Sequence, residues 1–309
     1  MTATLLDMMN EVSMNLSGYT LIQDRATYIK SDVAATLSTI AVPIVLSLAS
    51  SDNLGKGVVE INEELFWVDN YDRLANTATI SPYGRAYLGT TLAAHTAGDK
   101  VTISPVFPRF AIKRAINDTI SAIGSSIFAA ATTTITYSTA VSAYRLPTTG
   151  TTLDIRNILS VAYQSIGPSK EWIPIKNWRF DGNANATAFD SKQTISIYDG
   201  ITSGRTIQIV YSTDPIPFST NADVFTDKTK LPLSCKDLVV LGATYRLLSN
   251  LDPARASMVS AQADETDSKR PYGSSQSITR QIFTLFTQRL NEEIKNQQDR
   301  YPIRIHYSV

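Results

Sequence analysis

Residues 232–251 read as a helix that one neighbour cannot cover. Leu238, Leu241, Tyr245 and Leu248 recur at helical spacing, and Val239, Val240 and Leu247 widen the stripe. Ser234 is placed to cap the first turn, with Asp237 at the capping-box position and Leu233 poised to staple onto Leu238. Gly242 and Ala243 leave room for a close neighbouring backbone. A segment apolar on several sides predicts the centre of a helical bundle, and the rest of the chain must supply its partners.

Residues 2–17 offer one. Leu5, Met8, Met9, Val12 and Leu16 share a face, and Gly18 follows as a stop. The Met-rich face suits either core packing or partner docking. Residues 108–128 offer a second, with Ile112, Ile116, Ile120, Ile123 and Ile127 on one stripe and Lys113 and Arg114 off it. This helix is expected to pack on the central one. Asp252-Pro253 opens an Ala-rich helix to about residue 267, and residues 270–277 read as a polar loop. A long helix over 278–298 carries Ile278, Ile282, Leu285, Phe286, Leu290 and Ile294. Its Arg280, Arg289, Glu292, Glu293 and Lys295 read as a solvated face.

Between these helices the period changes from helical to alternating. Residues 24–101 predict a small antiparallel domain, with 58–68 extended and 77–80 returning. On that extended segment Glu60 and Glu64 share one face and Glu63 and Asp69 the other, which reads as a solvated, ion-paired strand. Residues 33–50 carry no charge, but Pro43 and several hydroxyls interrupt them and no basic flank follows. Two short strands turning near Pro43 are expected rather than a membrane span. In the second block, strands are expected at 132–137, 143–146, 158–166, 172–180, 194–199 and 205–211. Residues 200–204 are expected to join the last two as a hairpin, and the whole predicts a β-sandwich. Trp172, Trp178, Tyr163 and Tyr198 suit core packing or an aromatic binding platform. Residues 301–309 alternate. Ile303, Ile305, Tyr307 and Val309 point one way, and the strand needs a sheet edge, in its own chain or in another.

Reactive chemistry is sparse. Of 309 residues, 28 are Lys or Arg and 28 Asp or Glu, so no general grip on nucleic acid or anionic membrane follows. The single Cys235 cannot form an intrachain disulfide and reads as a buried thiol. The phosphate-loop, dinucleotide, zinc-protease and nucleophile-elbow motifs are all missing. The only histidines are His95 and His306, so a metal site lacks companions and His95 is expected to fix a loop. No catalytic, cofactor-binding or metal-binding residue is assigned and no cofactor is expected, although an enzyme built of carboxylates alone stays open.

Two stretches carry a resemblance. They are Gly57-Val-Val-Glu-Ile-Asn-Glu-Glu-Leu-Phe-Trp-Val-Asp69 and Tyr83-Gly-Arg-Ala-Tyr-Leu-Gly-Thr-Thr-Leu-Ala-Ala-His-Thr-Ala-Gly98. Together they resemble a β-module of tailed-bacteriophage virion proteins, with Ala86 standing where that pattern has a glycine. Lys170-Glu-Trp-Ile-Pro-Ile-Lys-Asn-Trp-Arg179, the helix at 235–248 and Asp252-Pro-Ala-Arg255 are similar to segments of head-to-tail adaptors. The layout also resembles the tail-tubular adaptors of short-tailed phages. The resemblance implies an α+β fold: a helical bundle (1–22, 105–130 and 232–300), an inserted β-module (23–104), a β-sandwich (131–231) and an extended tail (301–309). It implies a dodecameric homo-oligomeric ring in the virion neck, between the portal protein and the next tail or neck protein. DNA would pass through without sequence-specific binding, and neither membrane nor catalysis would be involved. Portal docking would fall to Ile278, Ile282, Phe286, Leu290, Ile303, Ile305, Tyr307 and Val309. A different tail component, or a host-glycan-binding β protein, remains as an alternative.

Overall fold

Alternation of apolar side chains forces strands to bury one face, and two separate β blocks result. The computed structural model describes residues 2–20, 24–146, 155–185, 187–189, 192–249 and 274–302. The fold is mixed α+β. The chain divides into two compact units. One comprises residues 6–116 and 240–283, the other Met1–Leu5, Asn117–Val239 and Thr284–Val309.

The first unit is built on a six-stranded antiparallel sheet. Its strands are β1 (Arg25–Tyr28), β2 (Val45–Ser47), β3 (Gly57–Ile61), β4 (Glu64–Asp72), β5 (Thr77–Ile80) and β6 (Lys100–Ile103), in the order β1-β6-β3-β4-β5-β2. The sheet curls until its edges meet. Lys30 N–H donates to the Ser47 carbonyl and Ala49 N–H to the Tyr28 carbonyl, both at 2.8 Å. Phe66, Ile61, Val68, Leu46 and Ile80 fill the interior. The segment 58–68 is therefore not one strand. It reverses at Asn62 and Glu63, where Asn62 takes φ 56°, a left-handed conformation that asparagine tolerates. In the uncharged stretch only β2 is a strand. Val33 makes an isolated bridge to His95, and the backbone between is irregular. Among the described residues no helix is long and apolar enough to cross a membrane.

The helices follow the predicted stripes. In α1 (Leu5–Thr20), Leu5, Met8, Met9, Val12 and Leu16 are all buried, so the methionines of that face are core. Gly18 does not stop the helix. It lies within it, and the Thr20 hydroxyl donates back to the Leu16 carbonyl at 2.7 Å. In α2 (Arg109–Ile123) the Ile stripe is buried, and Ile127 is buried just past the helix end. The expected cap of the central helix is not formed. Residues Leu233–Cys235 make a 3-10 turn before α4 (Lys236–Leu248), and the turn starts at Pro232 without a side-chain cap. Leu233 is exposed, so the staple is absent too. α4 itself buries Leu238, Val239, Val240, Ala243, Leu247 and Leu248. A short α3 (Phe225–Thr229) precedes it, and the last helix, α5, spans Ser274–Arg300, longer at both ends than its periodic stripe. The Ala-rich helix expected over 252–267 lies outside the described residues.

The second unit carries two antiparallel sheets. β7 (Ala129–Thr136), β9 (Asn157–Gln164), β10 (Trp172–Pro174) and β13 (Thr206–Thr213) form one, in the order β10-β9-β13-β7. β8 (Tyr144–Arg145), β11 (Trp178–Asp181) and β12 (Thr194–Ile197) form the other, in the order β11-β12-β8. Residues of both sheets, including Val161, Ile195, Ile207 and Ile209, share one core. Two expectations are corrected. Residues 172–180 are not one strand, because the chain changes sheets after Pro174, with Ile175 buried at the crossing. Residues 200–204 are not a hairpin turn, because β12 and β13 lie in different sheets.

Truncating Phe66, fully buried in the curled sheet, is expected to cost roughly 3–5 kcal/mol. Leu74→Ala, at a side chain 97% exposed, should change stability by less than about 0.5 kcal/mol. Urea unfolding of the two variants beside the parent measures both.

Candidate functional site

The chemistry-bearing residues of the curled-sheet unit gather around one carboxylate. Glu64 opens β4, immediately after the Asn62-Glu63 turn, and is buried. Arg85 reaches it from the loop after β5, where Gly84 packs so tightly that an added Cβ would lie 2.9 Å from the Ser81 and Trp67 carbonyl oxygens. Arg85 grips Glu64 with two parallel bonds, Nε to Oε1 at 2.8 Å and Nη2 to Oε2 at 2.7 Å. The N–H groups of Ala86 and Ala93 donate to the same carboxylate, and His95 Nε2 lies 3.0 Å from Oε2. The remaining guanidinium hydrogens go to the carbonyls of Ala34, Thr36 and Ala93, and the Phe66 ring lies 4.8 Å from the guanidinium carbon. Burial alone would raise the Glu64 pKa, but the bonds from Arg85, His95, Ala93 and Ala86 outweigh it and hold the group at about 2.

This arrangement leaves nothing to react. A carboxylate with five donors on it has no lone pair free for a metal or a proton in transit. His95 is a loop-fixing residue, as its isolation in the sequence predicts, and its Nδ1 faces Asn62 Nδ2 at 3.4 Å. The reading of Glu60 and Glu64 as solvated is corrected, since both are buried. Glu60 accepts the Arg109 N–H at 2.5 Å and so caps the start of α2 from the sheet. Burial raises its pKa to about 7 against the pull of the Arg109 and Phe110 amides and the Arg109 charge. Glu63, partly exposed, pairs with Lys113 at 2.9 Å. Among the described residues no group of three His, Cys, Asp or Glu side chains is disposed to hold a metal.

What these bonds do is hold two loops side by side. Arg85 ties residues 34–36 to the 85–93 loop. Tyr83 N–H donates to the Ser38 carbonyl at 2.7 Å, and the Ser38 hydroxyl donates to the Ile80 carbonyl. The pinned loops carry Leu37, Ile40, Val42, Tyr83 and Leu88 on the outside, and Ile40 is 84% exposed. These loops thus carry exposed apolar side chains on a hydrogen-bonded frame.

The second unit has its own buried acid, which periodicity assigns to a solvated face. Glu293 of α5 is buried. Its Oε2 accepts the Ser234 hydroxyl at 2.9 Å and lies 3.8 Å from Cys235 Sγ, while Arg289 Nη2 reaches Oε1 at 3.3 Å. Burial and the neighbouring Glu293 charge push the Cys235 thiol up to about 12, so it is no nucleophile. One turn on, Gln297 both donates to and accepts from the Phe128 backbone. The signal was present in the spacing, because Ile282, Phe286, Arg289, Glu293 and Gln297 follow one another by three or four residues. A cavity of about 300 Å³ opens beside them, lined by Phe128, Ala130, Cys235, Glu293, Arg300 and Tyr301 among others.

The expected docking residues are placed unevenly. Ile282 is 1% exposed and unavailable, while Ile278, Phe286 and Leu290 are half-buried. Phe283 and Leu285 are the exposed apolar residues of that helix. Ile303, Ile305, Tyr307 and Val309 lie outside the described residues. The four aromatics do not act as a set. Trp178 and Tyr163 pack on the shared core, whereas Trp172 and Tyr198 are exposed.

Arg85→Ala leaves Glu64 buried and uncompensated, and is expected to cost roughly 3–5 kcal/mol by chemical denaturation. Arg85→Lys should recover only part of this, because it cannot make the paired bonds. The two carboxylates give opposite pH responses. The folded pKa of Glu60 lies above 4.5, so its contribution to stability is full below that value and fades as pH rises through about 7. The folded pKa of Glu64 lies below 4.5, so its contribution is full above that value and fades as pH falls toward about 2. Glu60→Gln is therefore expected to flatten the decline in melting temperature between pH 4.5 and about 7.

Residues 88–305 match the family described as SU10 adaptor protein. The match covers most of the chain, including α2, both sheets of the second unit and all of α5, and begins within the loop that carries Leu88. No curated protein matches the sequence. The chain belongs to the SU10 adaptor family and is accordingly a structural component of a bacteriophage virion that associates with other head or tail proteins.

Proposed function

We propose that the chain is the head-to-tail joint of its phage, a homo-oligomeric ring below the portal around the DNA passage. The family match over residues 88–305 is the observation that carries this reading. A ring requires heterologous contact, one surface of each copy meeting a different surface of the next. The pinned loops bearing Ile40, Val42, Tyr83 and Leu88 supply one such surface. A helical bundle of the segments 1–22, 105–130 and 232–300 forms the portal-facing part in this proposal, and the β blocks face the next tail component. On α5 the docking face is made by Ile278, Phe286 and Leu290 together with the exposed Phe283 and Leu285, without Ile282. Equal numbers of acidic and basic residues suit a passage that DNA slides through without being held.

Mixing the purified chain with portal protein tests the proposal. The expected outcome is a ring-shaped complex by electron microscopy and native mass spectrometry, weakened by Phe283→Asp on α5. A chain that stays monomeric and ignores portal would overturn it.

A further inference from the structure

The outer edge of β7 and the cavity at its end form one groove. β7 is terminal in its sheet, eight residues long, and contains neither a charged residue nor proline. Edges of that kind are ordinarily blunted or covered. β7 pairs antiparallel with β13 from Ala129↔Thr213 to Thr136↔Thr206, and next to that register the Tyr137 N–H donates to the Arg205 carbonyl at 2.8 Å. Residues of an antiparallel ladder alternate in the neighbour they bond. The odd-numbered residues of β7 thus bond β13. Ala130, Thr132, Thr134 and Thr136 turn their N–H and C=O groups outward, where no partner is found among the described residues.

The cavity of about 300 Å³ lies at the Ala130 end of this edge. Phe128, Leu231 and Tyr301 give it an apolar wall, and its charged lining residues are Lys230, Glu293 and Arg300. Glu293 is already compensated, since its carboxylate accepts from Ser234 and Arg289. Lys230 and Arg300 are exposed and make no ion pair among the described residues. The groove therefore combines a row of backbone donors and acceptors with a part-apolar cavity at one end and two uncompensated cations there.

These parts specify a ligand. A row of outward backbone groups takes an extended chain by strand addition. A lysine and an arginine without partners take a carboxylate. A chain running antiparallel to β7 brings its carboxyl end to the cavity, whereas a parallel one would bring its amino end to two cations. We infer that the groove binds the extended C-terminal segment of a partner protein, added antiparallel to β7. Its last side chain, apolar, enters the cavity, and its terminal carboxylate meets Lys230 and Arg300. Side chains opposite Thr132, Thr134 and Thr136 join an exposed row and are polar. The groove belongs to the other unit from the pinned loops, and the inference does not rest on the ring reading.

Selection on the full chain from displayed octapeptides of random sequence, each with a free carboxyl end, tests it. The selected sequences should end in a large apolar residue. In fluorescence anisotropy the synthetic peptide should bind roughly tenfold or more tightly than its C-terminal amide. The double variant Lys230→Gln, Arg300→Gln should lose that advantage of the acid and leave the binding of the amide unchanged. Thr134→Pro should abolish binding of both, since proline is tolerated where a strand N–H points outward and removes the donor. If that variant fails to fold, hydrogen exchange takes its place: bound peptide should slow the amides of Thr132, Thr134 and Thr136 but not those of Thr133 and Ile135, which face β13. An empty selection, equal binding of acid and amide, or binding indifferent to these changes would overturn the inference. Selection that succeeds only after truncation following Pro302 would overturn a partner's segment in favour of this chain's own end.

Discussion

One carboxylate organises the curled-sheet unit. Glu64 gathers a guanidinium, two backbone amides and an imidazole from residues 85–86 and 93–95, outside the strands of the sheet. Removing an ion pair from water is costly unless every lone pair and hydrogen finds a partner, and here they do. The consequence is a surface loop pair, irregular but for a 3-10 turn at Tyr87–Gly89, that has a defined shape. That shape presents Leu37, Ile40, Val42, Tyr83 and Leu88 to solvent.

The same economy recurs in the other unit. Glu293 and Gln297 on α5 spend their polar groups on Ser234 and on the Phe128 backbone, which seats the helix end against the chain that leads into β7. Asp223 serves the segment before α3. Its carboxylate accepts the hydroxyls and amides of Ser219 and Thr220, which hold its pKa well below the usual range, and its backbone takes part in the bridge to residues 3–5.

Much of this was legible in the sequence. The stripes at Leu5 to Leu16 and Ile112 to Ile123 are buried as their periods require, and most strands of the second block lie within a few residues of their alternating runs. What escaped depends on contacts distant in sequence. The two-residue turn at Asn62 shifts the inward face from Val59 and Ile61 to Phe66 and Val68, a shift hidden because the run Leu65-Phe66-Trp67-Val68 is apolar at every position. Pro174 and residues 198–205 mark changes of sheet, which local pattern cannot distinguish from continuation or from a hairpin. Ser234 is a good cap by type, but its hydroxyl is taken by Glu293, which lies far along the chain. Buried acids are illegible for the same reason, since the partner that makes burial tolerable is remote. His95 was the exception, because its isolation from other ligands favoured the loop-fixing bonds it makes to Glu64 and Asn62.

The central claim is that the pinned loops are a surface for assembly and not the wall of a reactive site. Cryo-electron microscopy of the virion neck tests it most directly. The account predicts several copies of this chain in a ring, with residues 34–43 and 82–89 buried against a neighbouring subunit. Copies that lie elsewhere in the particle, or a ring in which both loops face open solvent, would contradict it.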